Sequence, residues 1–243
     1  MYIFTNISLY IYIYLLLQMA PHVTTTSATT TSATPPGVRG DHHHHHHHHH
    51  HDEHHLESLY DRQLHPSRVR GVSDLRTSHF FRSSYYTLTG EMRRTWNNRL
   101  ISEIADMSSS LPVSCHASIF LVYDEAAMMF LRACLLPSAD TPYAHGAFLF
   151  DIFVPSGYPT VPPKVKFLTT GSGTVRFNPN LYDNGKVCLS LLGTWDGPSW
   201  EPQVSSIWQV LVSIQSMIFC EEPYLNEPGH TAGVHSQDVM KVR

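Results

Sequence analysis

Apolar side chains recur at helical spacing in the stretch that follows residue 90. The positions that share one face of this stretch are Met92, Trp96, Leu100, Ile101, Ile104 and Met107. Steps of three and four residues match the period of an amphipathic α-helix. The pattern therefore predicts a helix from Glu91 to Met107, which ends at a run of serines before Pro112.

Shorter apolar runs separated by turn residues come after this helix, and such runs are typical of β-strands. The predicted strands are Ala117–Tyr123, Met128–Leu136, Ala147–Val154 and Lys164–Leu168. Their short connections predict that the four strands form an antiparallel meander. The segment after the last strand is expected to be largely irregular.

A second helix is predicted after Ser205 or Ser206, because either side chain can cap a helix N-terminus. Its apolar stripe, which we interpret as core packing, consists of Ile207, Val210, Leu211, Ile214, Met217 and Ile218. The order helix, four strands, irregular loop, helix predicts an α+β fold in which the sheet packs against the second helix.

The first 88 residues differ from the rest of the chain. Met1–Gln18 is apolar but has no basic start, and its apolar run is shorter than the ~20 residues that a membrane-spanning helix needs. It is either a weak signal anchor or an extension of the gene model before a true start at Met19. Thr24–Thr34 is of low complexity. His42–His51 is an unbroken histidine tract, which is either a disordered repeat or a loose site for divalent metal ions.

Residues 56–88 are polar and rich in Arg and Ser, so we interpret them as a linker. The predicted organisation is a disordered, low-complexity region over residues 1–88 and one folded domain over residues 89–243. A hydrophobic content of 42% in 243 residues is sufficient for the core of such a domain.

Charge and cysteine content exclude some classes of function. The formal net charge of −4 disfavours nucleic acid as the main partner. The cysteines are Cys115, Cys134, Cys188 and Cys220, and none of them forms a CxxC pair. Their spacing indicates neither a structural zinc site nor a disulfide framework, which fits a reducing compartment.

The chemistry of the chain is concentrated in the loop at residues 176–189. This loop holds the carboxamide of Asn180 eight positions before the thiol of Cys188. A thiolate is a nucleophile that can hold an acyl group, and a nearby amide NH2 can donate to the oxyanion that forms when the acyl group is attacked. The alternatives are that Cys188 is a small buried apolar residue and that Asn180 stabilises a turn after Pro179.

Several motifs at fixed positions together resemble the ubiquitin-conjugating (E2) enzyme family. The motifs are Tyr158-Pro159 with Pro162-Pro163-Lys164-Val165, Asn180 of a His-Pro-Asn-like triplet, Cys188 as the acceptor cysteine, Trp200 and Pro202, and Glu227-Pro228. The resemblance extends from about Glu91 to Gly229. It implies a UBC-like fold with an N-terminal helix, the four-stranded meander, an active-site loop and a central helix.

Within this family, four segments are similar to the large E2 enzymes of the giant inhibitor-of-apoptosis (apollon) type. They are Ala139–Tyr143, Asn178–Tyr182, Thr194–Trp200 and Glu222–Gly229. The chain has no zinc motif of the BIR type, so the resemblance does not extend to apoptosis inhibition.

The resemblance implies an acyltransferase with a thioester intermediate. Cys188 would accept ubiquitin from an activating enzyme (E1) and pass it to a substrate lysine or to an E3 ligase. Asn180 would stabilise the oxyanion, and Glu227 would orient the incoming lysine or accept its proton, unless it is simply a solvated acid. The protein would need no metal or cofactor of its own, because the activating enzyme consumes the ATP.

The first predicted helix carries three basic side chains, Arg93, Arg94 and Arg99. They either contact the activating enzyme or form a solvated helix face.

Three departures from the family pattern qualify these expectations. Asn178 replaces the usual His, and we expect activity to survive because Asn can also bind the backbone. Thr160 stands where an aromatic residue often contacts RING ligases, which disfavours an ordinary RING partner. The chain stops soon after Gly229, so the C-terminal helices of the family are expected to be missing.

The competing hypothesis is a catalytically impaired UBC-fold scaffold that binds ubiquitin or ligases. We expect the protein in the cytoplasm or nucleus, with membrane anchoring by Met1–Gln18 as the alternative.

Overall fold

The computed structural model describes residues 64–87 and 90–226, and for residues 90–93 the backbone alone. In chain order its strands and α-helices are β1 (Val69–Val72), α1 (Leu75–Ser78), α2 (Gly90–Ser110), β2 (Ser118–Asp124), β3 (Phe130–Leu136), β4 (Phe148–Phe153), β5 (Lys164–Phe167) and α3 (Ile207–Ser213). A π-helical turn, Ile214–Ile218, continues α3. Short 3₁₀ turns lie at His65–Ser67, Arg82–Ser84, Ser190–Leu192 and Pro223–Asn226.

The strands form one five-stranded sheet in the order β1-β2-β3-β4-β5. β2 to β5 pair antiparallel, which confirms the predicted meander. β1 is an additional strand, and it pairs parallel to β2 with Val69 opposite Leu121. The two long predicted helices correspond to α2 and to α3 with its π-helical turn, so the predicted α+β class is confirmed.

One face of the sheet packs against α2 and α3 to form the main core. Leu100 and Met107 of α2 and Val210 and Leu211 of α3 are fully buried there. Two residues assigned to the apolar stripes are instead exposed, Ile101 by 50% and Met217 by 57%. Ile101 lies about 100° around the helix from the buried Leu100. Met217 lies in the π-helical turn, where the i→i+5 bonding departs from the α-helical period on which the prediction rested.

The opposite face of the sheet is covered by residues 64–87, so the interpretation of this segment as a linker is wrong. Leu64 and Leu75 pack against Phe120, Cys134 and Leu149 in a second apolar cluster. The backbone N–H of Arg76 donates to Asp124 Oδ2 at 2.9 Å, and Tyr86 OH donates to Val154 O at 2.7 Å. The segment escaped prediction because its strand is four residues long and includes an Arg and a Gly.

A buried ion pair fixes this segment to the sheet. Arg132 on β3 and Asp151 on β4 are both fully buried, and the guanidinium Nε donates to Asp151 Oδ1 at 2.6 Å. Asp151 Oδ2 accepts a second bond from Arg132 Nη2 at 3.0 Å and a third from the N–H of Phe80 at 2.6 Å. Arg132 Nη2 also donates to Ser78 O. Arg132 and Asp151 thus neutralise each other, and backbone groups of the covering segment bind both side chains.

His79 completes this buried cluster as a neutral side chain. Its Nε2 donates to Leu131 O at 2.9 Å, and its Nδ1 accepts from the N–H of Phe81 at 3.3 Å, which is the pattern of one neutral tautomer. Burial lowers the pKa of His79, which opposes the protonation that the nearby Asp151 would favour.

The N-terminus of α3 is held by its own cap and by α2. Ser206 is the cap residue, because its Oγ accepts from Gln209 N while Gln209 Oε1 accepts from Ser206 N in a capping box. Glu103 of α2 accepts from Ile207 N at 2.8 Å and from Tyr158 OH.

Two of the arginines on the first predicted helix have different environments. Arg99 donates hydrogen bonds to Glu103 and to Ser205 O within the fold. Arg94 is exposed to solvent.

Other expectations concern residues outside the described part of the chain. These are the character of Met1–Gln18 and of the His42–His51 tract, the side chain of Arg93, and the missing C-terminal helices, which would follow residue 226. Within residues 64–87 and 90–226, no helix is both long and apolar enough to cross a membrane, and no group of three metal-ligating side chains is found.

Candidate active site

The loop that contains Asn180 and Cys188 is built on the edge of the sheet at β5. Phe167 N of β5 donates to Gly185 O at 2.9 Å, and Lys166 forms an isolated bridge with Lys186. A second bridge, between Leu181 and Val187, folds the loop back on itself. Residues 180 and 188 flank this bridge, so the loop brings them side by side although they are eight positions apart.

Gly185 allows the close approach between this loop and β5. Its φ is +81°, and an added Cβ would lie 2.4 Å from Phe167 O. Gly193 has a similar φ of +67°, but an added Cβ there would meet no atom within 4 Å. Both glycines therefore have the left-handed backbone conformation that favours glycine, but only Gly185 has no space for a side chain.

We expect Gly185→Ala to lower the free energy of unfolding by about 2–5 kcal/mol, from left-handed backbone strain and a backbone clash together. Gly193→Ala is the matched control and is expected to cost only the conformational part, about 1–2 kcal/mol. Urea unfolding followed by circular dichroism measures both. Equal losses for the two variants would contradict the close packing of the loop on β5.

Asn180 and Cys188 bind each other through two hydrogen bonds. Cys188 N donates to Asn180 O at 2.9 Å, and the carboxamide Nδ2 of Asn180 donates to Cys188 O at 3.0 Å. Asn180 Oδ1 accepts from Asn226 Nδ2 at 3.2 Å. The pairing of these atoms fixes which end of the carboxamide faces Cys188. An amide NH2 carries two hydrogens, and within the described residues Nδ2 uses one of them.

Asn178 organises the turn that precedes Asn180. Its Oδ1 accepts from Asn180 N and Leu181 N, both at 2.9 Å, which is an Asx turn. Its Nδ2 donates to Tyr143 OH at 2.8 Å and to Ile218 O at 3.2 Å. The expectation that Asn binds the backbone at this position is confirmed. The turn-stabilising role considered for Asn180 is performed here by Asn178.

Burial raises the pKa of Tyr143, and the hydrogen bond from Asn178 lowers it. Burial is the larger effect, and it raises the pKa of Tyr143 to about 12. The phenol therefore stays protonated near neutral pH, and its oxygen remains available to accept the bond from Asn178.

Two further residues hold this site, and the sequence analysis did not identify either as functional. Thr194 Oγ1 accepts from Leu189 N at 3.0 Å and lies 2.8 Å from Val187 O, so it binds the residues on both sides of Cys188. Asn226 binds Asn180, as above, and donates to Met217 O at 2.8 Å. Both belong to segments that carried the family resemblance, but only contacts across the fold show which of their side chains reach the site.

Cys188 itself is buried, with 1% of its surface exposed. No disulfide joins the four cysteines, all of which lie in the described residues, and Cys115 and Cys220 are partly exposed. Cys134 is fully buried in β3, and burial raises the pKa of its thiol to about 12, which keeps it protonated and unreactive. Little of Cys188 is therefore accessible to solvent in this structure.

The other motifs of the resemblance meet near the start of α3. Trp200 Nε1 donates to Pro159 O at 2.7 Å, and the Trp200 ring lies 5.7 Å from the ring of Tyr158. Burial raises the pKa of Tyr158, and the adjacent Glu103 acts in the same direction. Glu227 lies outside the described residues, so its role stays a prediction.

Comparison with known proteins agrees with these motifs. Residues 99–238, more than half of the chain, match the family model described as "Ubiquitin-conjugating enzyme". The "Probable ubiquitin-conjugating enzyme protein 17" of Caenorhabditis elegans is 52% identical over 139 residues, which is 56% of this chain. The human "Dual E2 ubiquitin-conjugating enzyme/E3 ubiquitin-protein ligase BIRC6" is 51% identical over 135 residues, 54% of this chain. Human "Ubiquitin-conjugating enzyme E2 Z" is 52% identical over 120 residues, 49% of this chain.

These relatives are much longer than the region they share with this chain. The match covers 19% of the Caenorhabditis elegans protein, 3% of human BIRC6 and 33% of human E2 Z. The similarity to BIRC6 confirms the resemblance to the apollon type, and it extends over 135 residues of this chain.

Proposed function

This chain belongs to the ubiquitin-conjugating enzyme family, and we propose that it carries ubiquitin as a thioester on Cys188 and transfers it to a lysine or to a ligase. The observation that carries this proposal is the pair of hydrogen bonds between Asn180 and Cys188. They hold a carboxamide donor beside the main chain of a cysteine, which supports a role for that donor in stabilising the oxyanion of an acyl transfer.

The first transfer is a thioester exchange. The Cys188 thiolate attacks the C-terminal carbonyl of ubiquitin on the activating enzyme, a new C–S bond forms, and the thiolate of the activating enzyme leaves. The thiolate, not the thiol, is the nucleophilic form of a cysteine. ATP is used by the activating enzyme before this step, and Cys188 itself needs no metal or cofactor for it.

The second transfer forms the product. A neutral lysine amine attacks the thioester carbonyl, a C–N bond forms, the C–S bond breaks, and the amine loses a proton. Asn180 donates to the oxyanion of the tetrahedral intermediate. Glu227 orients the amine or accepts its proton. A ligase cysteine can replace lysine as the acceptor, in which case the product is a second thioester.

The burial of Cys188 adds an opening step to this scheme. With 1% of the residue exposed, the thiol must be uncovered when the activating enzyme binds. The site is held by hydrogen bonds from three separate segments, to Thr194, Asn226 and Asn178. In this proposal, binding to a partner protein supplies the free energy that exposure of the thiol needs.

Incubation of the full chain with activating enzyme, ubiquitin and ATP tests the proposal. We expect an adduct that a thiol reductant removes, and we expect Cys188→Ala to abolish it. Cys115→Ala is the matched control, because Cys115 is a partly exposed thiol outside the loop, and it should charge normally. An adduct that persists in Cys188→Ala would show the assignment to be wrong.

A second candidate is a scaffold of the same fold that binds ubiquitin or ligases without catalysis, and the burial of Cys188 favours it. On this hypothesis a monodisperse preparation of the chain binds ubiquitin but forms no reducible adduct. Charging in the experiment above would exclude the scaffold hypothesis.

For the conjugating enzyme, the proposed partners are ubiquitin, an activating enzyme, a ligase and substrate lysines. The proposed location is the cytoplasm or the nucleus.

A further inference from the structure

The geometry points to Asn226 as a positioning residue that sets the orientation of the Asn180 carboxamide. This inference rests on the proposed function of Asn180 as oxyanion donor. Asn226 belongs to the 3₁₀ turn Pro223–Asn226, in a segment that leads away from the end of the central helix.

The contacts of Asn226 join that segment to the active-site loop. Its Nδ2 donates to Met217 O at 2.8 Å and to Asn180 Oδ1 at 3.2 Å, and it lies 4.0 Å from Cys220 Sγ. One NH2 group thus connects a carbonyl in the π-helical turn to the carboxamide of Asn180. The π-helical turn is part of this geometry, because it carries both Met217 and the carbonyl of Ile218 that Asn178 binds.

The direction of the bond determines what Asn180 presents to Cys188. The NH2 of Asn226 can only donate, so it selects the oxygen end of the Asn180 carboxamide. The nitrogen end then faces Cys188, where it donates to Cys188 O at 3.0 Å. A carboxamide with the opposite orientation would place its oxygen against the Cys188 carbonyl, and it would have no donor for an oxyanion on that side.

An aspartate at position 226 reverses this preference with almost no change of shape. Its carboxylate accepts but cannot donate, so it repels Asn180 Oδ1 and attracts Nδ2. We expect Asn226→Asp to charge with ubiquitin but to discharge onto free lysine at least about ten-fold more slowly, because loss of an oxyanion donor typically costs about 10²–10³ in rate. The loss should appear in the maximal rate and not in the lysine concentration at half-maximal rate.

Asn184→Asp is the matched control, since it makes the same isosteric change and adds the same charge within the active-site loop. Asn184 Oδ1 accepts from Lys186 N at 2.9 Å, and aspartate preserves that bond. This variant should discharge at the wild-type rate. Asn226→Ala removes the donor without adding a charge, and we expect an intermediate loss; it serves as the test variant if Asn226→Asp does not fold.

A double-mutant cycle separates positioning from a general structural effect. In the Asn180→Ser background, Asn226→Asp should slow discharge no further. Equal slowing in both backgrounds, or wild-type discharge by Asn226→Asp, would overturn the inference while leaving charging on Cys188 intact. Side-chain amide NMR of the uncharged chain tests the orientation independently of activity. The Asn180 NH2 resonances should shift in Asn226→Asp and not in Asn184→Asp, and unshifted resonances would also overturn the inference.

Discussion

Asp151→Ala is expected to lower the free energy of unfolding by about 3–5 kcal/mol, because it leaves a buried guanidinium without its counter-ion. Arg132 and Asp151 are both inaccessible to solvent, and the carboxylate accepts two bonds from Arg132 and one from Phe80 N. The substitution therefore removes the charge partner of β3 and also an anchor of the covering segment at residues 64–87. Urea or thermal unfolding followed by circular dichroism measures the loss.

The control and the compensating variant make this prediction specific. Asp140 is exposed in the loop after β3, so Asp140→Ala should change the free energy of unfolding by no more than about 0.5 kcal/mol. Replacing both charges by leucine, in Arg132→Leu with Asp151→Leu, leaves no unpaired ion, and the double variant should be more stable than Asp151→Ala. A loss below about 1 kcal/mol in Asp151→Ala would contradict the role given to the buried pair.

Among variants that keep the Cys188 thiol, the largest expected effect on catalysis comes from Asn180→Ser. We expect this variant to charge with ubiquitin at the normal rate and to discharge onto lysine about 10²–10³-fold more slowly. Serine is too short to reproduce the bond that Asn180 Nδ2 makes to Cys188 O, and its hydroxyl cannot take the place of the carboxamide donor. Single-turnover discharge of the pre-charged protein onto free lysine measures this step separately from charging.

A structural effect of Asn180→Ser is distinguished by the charging step itself. If the substitution merely disorders the loop, Cys188 will be displaced and charging will fall together with discharge. Gly193→Ala supplies a reference for mild destabilisation outside the Asn180–Cys188 contact, and it should leave the ratio of the two rates unchanged. Equal discharge by wild type and Asn180→Ser would remove the oxyanion role.

The sequence predicted the parts of the fold that have a strong local period. The stripe of α2, the apolar runs of β2 to β5 and the cap at Ser206 all lie close to their predicted positions. Ile101 and Met217 mark the limit of this approach. A periodic pattern gives the mean direction of the apolar face, but the side chains at its edge are decided by tertiary packing and, for Met217, by the π-helical turn.

The covering segment at residues 64–87 could not be predicted from local pattern. Its contribution depends on Leu75 and on backbone groups that meet Asp124 and Asp151, which are far away in the chain. One signal was present in the sheet itself. β2, β3 and β4 are almost continuously apolar, and this is typical of strands that are buried on both faces.

The candidate site, like the fold, was predicted only in part from the sequence. The spacing of Asn180 and Cys188 and the family motifs predicted which two residues would meet. The spacing carried no information about Thr194 or about the orientation of Asn180 by Asn226. The burial of Cys188 was one of the two alternatives that the sequence left open. Those features arise where the loop, the end of the central helix and the segment after it come together, and their contacts span up to 46 positions in the chain.

Peptide mapping of the charged protein tests the central claim most directly. After incubation with activating enzyme, ubiquitin and ATP, the chain is digested under conditions that preserve thioesters, and the modified cysteine is located by mass spectrometry. The account predicts the C-terminal glycine of ubiquitin on the sulfur of Cys188. Modification of Cys115, Cys134 or Cys220 in its place, or an unmodified Cys188 in a folded preparation, would contradict it.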